Sequence, residues 1–597
     1  MQGQWSLRCV LCYLVLGALA TAQAYRWPSP QYDAVEALLY EGSRADRSSM
    51  ASLVHPCKLR PRTKASIAAE WLRFAYHDVA THNISDGTGG LDGSLAYELD
   101  RAENVGDGMK DALSDFRFYS HKYISRSDVI AVGATFAVAS CGGPIIPYRS
   151  GRIDALGPGP SGVPQPHQDL PTHTDIFQRQ GFNPSEMITL VACGHTLGGV
   201  RSLDFPTLVA PGSDPSIPNF KLFDSTPEFD NTMIVQYLNG STKNPLVVDS
   251  NTTLTSDSRI FSSDGNQTMQ SLASSSAFSQ TCANLLERMV NTVPQSVVLT
   301  EEVTLLPVKV LDVGLTIEHR ILVFKATLRL TKQFGVAANK QRLVKMFWCD
   351  RYGQDRDCGQ TVKFAQPAAV NQDDHAVSPV TSRVGLSFVK YNFVVPVDPS
   401  LSLSKFWFQV DEKNGSEPIT YDNGGDGYSL EQDNIIFVPS LSGSSLLQDG
   451  NNYTLIAAVR ASLAPARVFV SVFDNAMSDN LPPLNTTLDM ALDSSLVPTD
   501  GYTFYSAVVE DPSGHQLTAD FHCEVDGVTY TEDFQPTFFL QNSPTSSPSD
   551  VGVISSNSTI TPGSSKSSST TIRHRLLRSL DLWTWTFVSY ILIYVLL

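Results

Sequence analysis

Charge is scarce in this 597-residue chain, at 17% of residues, and positive charge is scarcer still: 43 Lys and Arg face 60 Asp and Glu, for a formal net charge of -17. A whole-chain basic surface for nucleic acid is thereby excluded, because neutralising phosphates takes clustered cations. The hydrophobic fraction is an ordinary 42%, so the shortage of charge also excludes a mostly disordered chain and a coiled coil. No repeat with a period of about 20 to 50 residues is present, which removes solenoids and propellers. What remains is a large acidic protein long enough for two to four domains at about 150 residues each.

The two ends differ from the rest. Arg8 precedes an apolar run over 9–20, and Ala22 and Ala24 fit a small-residue cleavage pattern, so residues 1–24 read as a secretory signal peptide. At the other end, 582–597 is apolar and follows Arg573, His574, Arg575, Arg578 and a Ser/Thr-rich stretch that includes Gly563-Ser564-Ser565-Lys566-Ser567-Ser568-Ser569. A small-residue acceptor, a polar spacer and an apolar tail make a glycosylphosphatidylinositol (GPI) attachment signal over 571–597. The rival is a retained membrane anchor, which normally wants about 20 apolar residues and would leave the basic cluster on the outer side. Sequons at Asn83, Asn239, Asn251, Asn266, Asn414, Asn452, Asn485 and Asn557 agree with export. The expected location is therefore extracellular, at the cell surface, on a lipid anchor. Cys9 and Cys12 leave with the leader, and the remaining odd number of cysteines leaves at least one unpaired in an oxidising compartment.

Between the ends the texture changes once. Helical apolar periodicity marks 67–80, 127–139, 184–198 and 276–293, with Gly/Pro loops between, so 25–294 is expected to be a mostly α domain. From Val297 the runs are short, β-branched and aromatic, as in 316–324, 453–459 and 467–473. Residues 295–540 are expected to be all-β, as one or two sandwiches. Residues 541–570, rich in Ser, Thr, Pro and Asn, read as a disordered stalk of the kind that carries O-glycans.

Two segments carry chemistry. In Glu70-Trp71-Leu72-Arg73-Phe74-Ala75-Tyr76-His77-Asp78, Arg73 and His77 share a helix face. An imidazole beside a guanidinium is the pair that splits a peroxide: the base moves a proton from one oxygen to the other, and the cation offsets the charge that develops. In Leu190-Val191-Ala192-Cys193-Gly194-His195-Thr196-Leu197-Gly198-Gly199, a histidine ends an apolar helix beside glycines that let something bulky approach. Alone, the first segment is more often a solvated face and the second a core histidine. Together they reverse both readings.

With both segments in this order, 32–294 resembles the plant, fungal and bacterial haem peroxidase superfamily, in particular its secreted fungal, ligninase-like branch and cytochrome c peroxidase relatives. The resemblance implies haem b, hydrogen peroxide as oxidant, and small organic electron donors. It makes Arg73 and His77 the distal arginine and acid/base, Asn104 the residue orienting His77, His195 the axial iron ligand, and Asp257 that ligand's hydrogen-bond partner. Phe223 also falls among the residues around the cofactor. Tyr76 stands where relatives carry Trp or Phe, with packing or a redox role open to it. The resemblance also implies two Ca²⁺ sites: a distal one from Asp78, Gly90, Asp92 and Ser94, and a proximal one from Thr196, Asp224, Thr226, Glu228 and Asp230, in a run one residue shorter than usual. It further implies a Cys57–Cys141 disulfide.

Cys349 and Cys358 close a short loop and are expected to pair. Cys193 and Cys282 either pair with each other or leave Cys193 reduced, and Cys523 is left over. Two of the branch's donor devices are missing. Leu190 occupies the place of the surface tryptophan, and Ser66, Glu70 and Arg201 stand where a manganese site needs three carboxylates. Neither manganese oxidation nor long-range lignin oxidation is expected, and small phenolic or aromatic donors at the haem edge are. The alternative function is adhesion or glycan binding at a cell wall, with the β region as the working part. There Trp348, Trp407 and Tyr421 serve either as a sugar platform or as core packing.

Overall fold

The computed structural model describes residues 25–540 apart from 44–47, 214–217, 354–355, 357, 359–362, 374–377, 448–449, 475–481, 512–516 and 538. The leader 1–24, the stalk 541–570, the tail 571–597 and the sequon at Asn557 lie outside the described residues. Among the described residues no helix is long and apolar enough to cross a membrane.

The helical half is organised round Arg126–Ser140, a helix buried on every side, as befits a segment with no polar face. It packs against Ile67–Val79, whose first turn is closed by Ser66 accepting the Ala69 N–H. Pro184–Gly194 starts on a capping box made by Asn183 and Glu186, and Ser275–Val290 lies along it. Cys193 and Cys282 join these two helices in a disulfide, which resolves the pairing that the sequence left open. Cys57–Cys141 and Cys349–Cys358 are also bonded, and Cys523 is free and buried.

The periodicity over 184–198 extends past the helix, which stops at Gly194. From there the chain turns into Gly199–Arg201, paired antiparallel with Phe220–Leu222. The glycines here serve the protein's own packing. A Cβ on Gly199 would lie 2.2 Å from the Lys221 carbonyl oxygen, and one on Gly198 would lie 2.6 Å from the Ala69 Cβ. Only at Gly194 is the space open.

The β half is two sandwiches that share a layer. A four-stranded sheet in the spatial order Val308–Glu318, Ile321–Gln333, Leu386–Pro396, Ala369–Asp373 faces a sheet built on Leu343–Cys349 and Lys405–Asp411. Phe324, Leu328, Phe393, Met346, Phe406 and Phe408 fill the space between them. A second core lies between the sheet containing Gly450–Arg460 and Tyr502–Asp511 and the sheet containing Arg467–Asp474 and Thr518–Val525. Leu455, Ala457 and Val459 enter this second core while Ile456 and Ala458 enter the first. A strand buried on both faces reads as an unbroken apolar run, which accounts for 455–459.

Two sequence expectations need correction. The run 316–324 is not one strand but a hairpin: Glu318 pairs with Ile321, and His319 and Arg320 both take positive φ, 49° and 66°. A two-residue turn of this hand suits the twist of the flanking strands, but it lacks the usual Asn-Gly signal. The aromatic trio does not share a surface either. Trp348 and Tyr421 pack against the first core, whereas Trp407 alternates with the core residues Phe406 and Phe408 and so stands on the opposite face.

The halves meet over a buried ion cluster. Glu36, on helix Pro30–Glu36, lies 2.7 Å from Lys309 and 2.6 Å from Arg329, and Arg329 also reaches Glu41 at 2.8 Å. Lys390 completes the pairing at Glu41. Burial raises the Glu36 carboxyl, but Lys309 and Arg329 more than offset this and hold it below the usual range. Glu41 is lowered to about 2, burial again being outweighed by Arg329 and Lys390. Nearby, Trp27 packs edge-on against Phe406 and Tyr428, so the first described residues cross onto the β half.

Candidate active site: two histidines in one cavity

A cavity of about 270 Å³ lies between Ile67–Val79 and Pro184–Gly194, and Arg73, His77 and His195 all line it. Its apolar wall includes Leu72, Phe177, Val191, Leu197, Leu246 and Met289.

On one wall, His77 Nδ1 lies 2.8 Å from Asn104 Oδ1. Asn104 sits on a short helical turn and spends its own N–H on the Glu98 carbonyl at 3.0 Å. Its oxygen therefore faces the imidazole, Nδ1–H is the donor, and Nε2 is left as a lone pair. Burial, helped by Arg73 and opposed by the Asn104 bond, depresses His77 to about 3, so it is neutral at ordinary pH. Arg73 donates from Nη2 to the Val105 carbonyl at 3.0 Å. Burial lowers it to about 10, which leaves it charged. Tyr76 stacks on Phe177 at 5.9 Å, and its hydroxyl lies 3.4 Å from Gln180 Oε1, an arrangement of packing.

On the other wall, His195 caps its helix and stacks on Phe223 with centroids 4.4 Å apart and planes 15° apart. Its Nδ1 lies 2.8 Å from Asp257 Oδ2, and its side chain remains 32% exposed. Asn244, which sequence reasoning missed, donates from Nδ2 to the same carboxylate oxygen at 2.7 Å. Its amide is oriented because Oδ1 accepts the Leu246 N–H at 2.9 Å. The Asn-Pro pair at 244–245 signals a helix start, but nothing local signals its approach to Asp257. An imidazole whose Nδ1–H is held by a carboxylate offers Nε2 as an electron-rich ligand, and the apolar walls suit a flat, greasy macrocycle. The residues present therefore fit a haem.

The expected calcium residues gather in two loops. Asp78 is buried, and its oxygens accept the Gly93 and Leu95 N–H groups at 2.7 and 2.8 Å. Asp92 accepts the Ser94 N–H at 3.1 Å, and Gly90 N–H donates to Thr81, which bonds the Asp78 carbonyl. Burial and then Asp92 push the Asp78 carboxyl well up. In the second loop Thr196 donates to the Asp230 carbonyl at 2.6 Å, and Asp224 accepts the Thr226 N–H at 2.9 Å. Burial, with Asp230 adding to it, raises Asp224 to about 6. The Glu228 carbonyl accepts the Asp230 N–H at 3.1 Å. Among the described residues no group of three or more His, Cys, Asp or Glu is placed to hold a metal ion.

At the cavity rim, Glu70 accepts from Arg60 at 2.7 Å, and Arg201 is held by Asp204 at 2.6 Å. Ser66 is spent as the helix cap, and Leu190 is buried.

Comparison with known proteins bears on the same residues. Residues 52–277 match the family model described as peroxidase. A WSC domain-containing protein of Arthroderma benhamiae is 35% identical over 406 residues, 66% of this chain and 54% of its own length. That alignment is longer than the helical half, so it takes in part of the β half. A putative L-ascorbate peroxidase 6 of Arabidopsis thaliana is 37% identical over 137 residues, 22% of this chain and 41% of that protein. A mitochondrial cytochrome c peroxidase of Yarrowia lipolytica is 32% identical over 133 residues, 21% and 39% of the two chains. The chain thus spans about half or less of the length of these relatives. Its helical half carries a peroxidase domain over residues 52–277, similar to proteins named as ascorbate and cytochrome c peroxidases.

Proposed function

We propose that the protein is a haem peroxidase that reduces hydrogen peroxide and oxidises small phenolic or aromatic donors. The observation that carries this is the pairing, in one cavity, of a neutral His77 beside a charged Arg73 with a carboxylate-backed His195. Haem held at His195 would supply the redox-active iron at which peroxide is cleaved. His77 Nε2 takes the proton from the nearer peroxide oxygen and returns it to the departing one. Arg73 offsets the negative charge on that departing oxygen. Asn104 keeps the lone pair aimed inward by holding the opposite nitrogen.

Small aromatic donors suit a rim that includes Phe205 and Phe220, where Glu70 and Arg201 are already committed to opposite charges. Two Ca²⁺ ions belong to the proposal, since Asp78 with Asp92 and Asp224 with Asp230 are like-charge neighbours. So do secretion and lipid anchoring at the cell surface. Their support is three disulfides, exposed sequons at Asn239, Asn251, Asn414 and Asn485, and the ends of the sequence. Cys57–Cys141 favours the secreted, ligninase-like branch.

The test is the absorption spectrum of the purified protein before and after H₂O₂. A haem band that changes with peroxide is expected, and a colourless protein or an inert band refutes the proposal. Chelation with EDTA tests the calcium part: the melting temperature should fall and recover with added Ca²⁺.

A further inference from the structure

The β half carries an aromatic row that its core does not use. Phe364, Phe347 and Trp407 occupy registered positions on three adjacent strands, Lys363–Ala365, Leu343–Cys349 and Lys405–Asp411. The centroids of Phe364 and Phe347 are 5.8 Å apart, those of Phe347 and Trp407 again 5.8 Å, and the planes of the latter two differ by only 12°. Val344, Met346, Phe406, Phe408 and Val410 supply the buried face of the same strands, so the row points away from the core. Phe364 is 51% exposed.

Cross-strand aromatic pairs stabilise sheets by themselves, but that role does not require the surroundings seen here. Lys345 lies two residues from Phe347 with its Nζ 4.8 Å above the Phe364 ring, and Lys405 lies two residues from Trp407 on the same face. Neither lysine makes an ion pair among the described residues, although the chain is strongly acidic. Asp411, at the end of the row, pairs with Lys413 at 2.7 Å and also feels the charge of Lys345. Gln409 and Thr420, registered with each other beside the rings, add amide and hydroxyl groups.

We propose that this face binds an acidic polysaccharide. Phe347 and Trp407, with near-parallel planes, and Phe364, tilted 45° from Phe347, offer apolar ring surface to the C–H faces of successive sugars, the lysines meet the sugar carboxylates, and Gln409 and Thr420 meet hydroxyls. The site is remote in sequence from the cavity residues and stands or falls independently of the peroxidase chemistry.

The experiment measures binding of the full chain to polygalacturonate and to a neutral β-glucan at low and high salt. Binding to the acidic polymer that weakens with salt is expected. Replacing Trp407 and Phe347 together with Ala should lower affinity by about tenfold or more, as loss of a buried anchor does. Because that pair also packs the sheet, K345E/K405E provides a second arm that leaves the rings in place and should lower affinity by about tenfold. An unchanged melting temperature identifies the variants that remain folded. Absence of binding by the wild type, equal binding to the neutral glucan, or undiminished binding by folded K345E/K405E overturns the proposal.

Discussion

The two walls of the cavity use the same side chain with opposite results. His77 gives its Nδ1–H to the neutral amide of Asn104 and is buried against a guanidinium, so it stays uncharged and available as a base. His195 gives its Nδ1–H to a carboxylate that Asn244 also holds, and its other face is open to the cavity. The difference shows that the residue behind the ring, more than the ring itself, decides whether a histidine moves protons or holds a metal.

The comparison breaks most completely at the ligand. His195→Ala should lose most of the bound haem, read as haem absorbance per protein, whereas His77→Leu should keep it. His77→Leu should instead slow the reaction with peroxide by about 10² to 10⁴-fold, followed by stopped-flow absorbance. If both variants lose haem equally, the two walls are not functionally distinct.

The pH profile sharpens the contrast. A base depressed to about 3 stays neutral above that pH and gains its proton only as pH falls through it, so the peroxide step should hold its rate down to about pH 3. A loss of rate centred near an ordinary histidine value of about 6.5 would contradict the burial of His77. The residues behind the rings should give smaller effects of about 10 to 100-fold. Asn104→Ala should act on the peroxide rate alone, while Asp257→Asn should raise the haem reduction potential, measured by redox titration. Asn244→Ala removes a competing donor and leaves the Asp257 carboxylate a stronger acceptor for His195, so it should shift the potential in the opposite direction, downward, with a smaller amplitude.

Much of the site was legible in the sequence because its key pairs are local. Arg73 and His77 are one helical turn apart, and His195 ends an apolar helix that opens on an Asn-Pro-Ser-Glu cap. Asn104 and Asp257 were reached only through family resemblance, since their partners lie 27 and 62 residues away. Asn244 was missed because a capping asparagine looks the same wherever its second amide group points. In the β half the change of texture was visible, but facing was not. Trp348 and Trp407 are equally aromatic in sequence, and only strand register puts one inside and the other outside. The hairpin at His319-Arg320 was hidden for a related reason, as neither residue announces a left-handed turn.

The ion cluster at the seam has a consequence for how the chain is made. Glu36 belongs to the first helix among the described residues, yet its partners Lys309 and Arg329 follow 273 and 293 residues later. Until those cations are synthesised, the carboxylates of Glu36 and Glu41 have no reason to leave water, since an uncompensated buried charge costs several kcal/mol, on the order of 3–5. Val35, Leu38 and Leu39 of the same segment belong to the helical core, so the unmet need is confined to these two carboxylates. Full burial of the seam is therefore expected only once the first sheet of the β half supplies Lys309, Arg329 and Lys390.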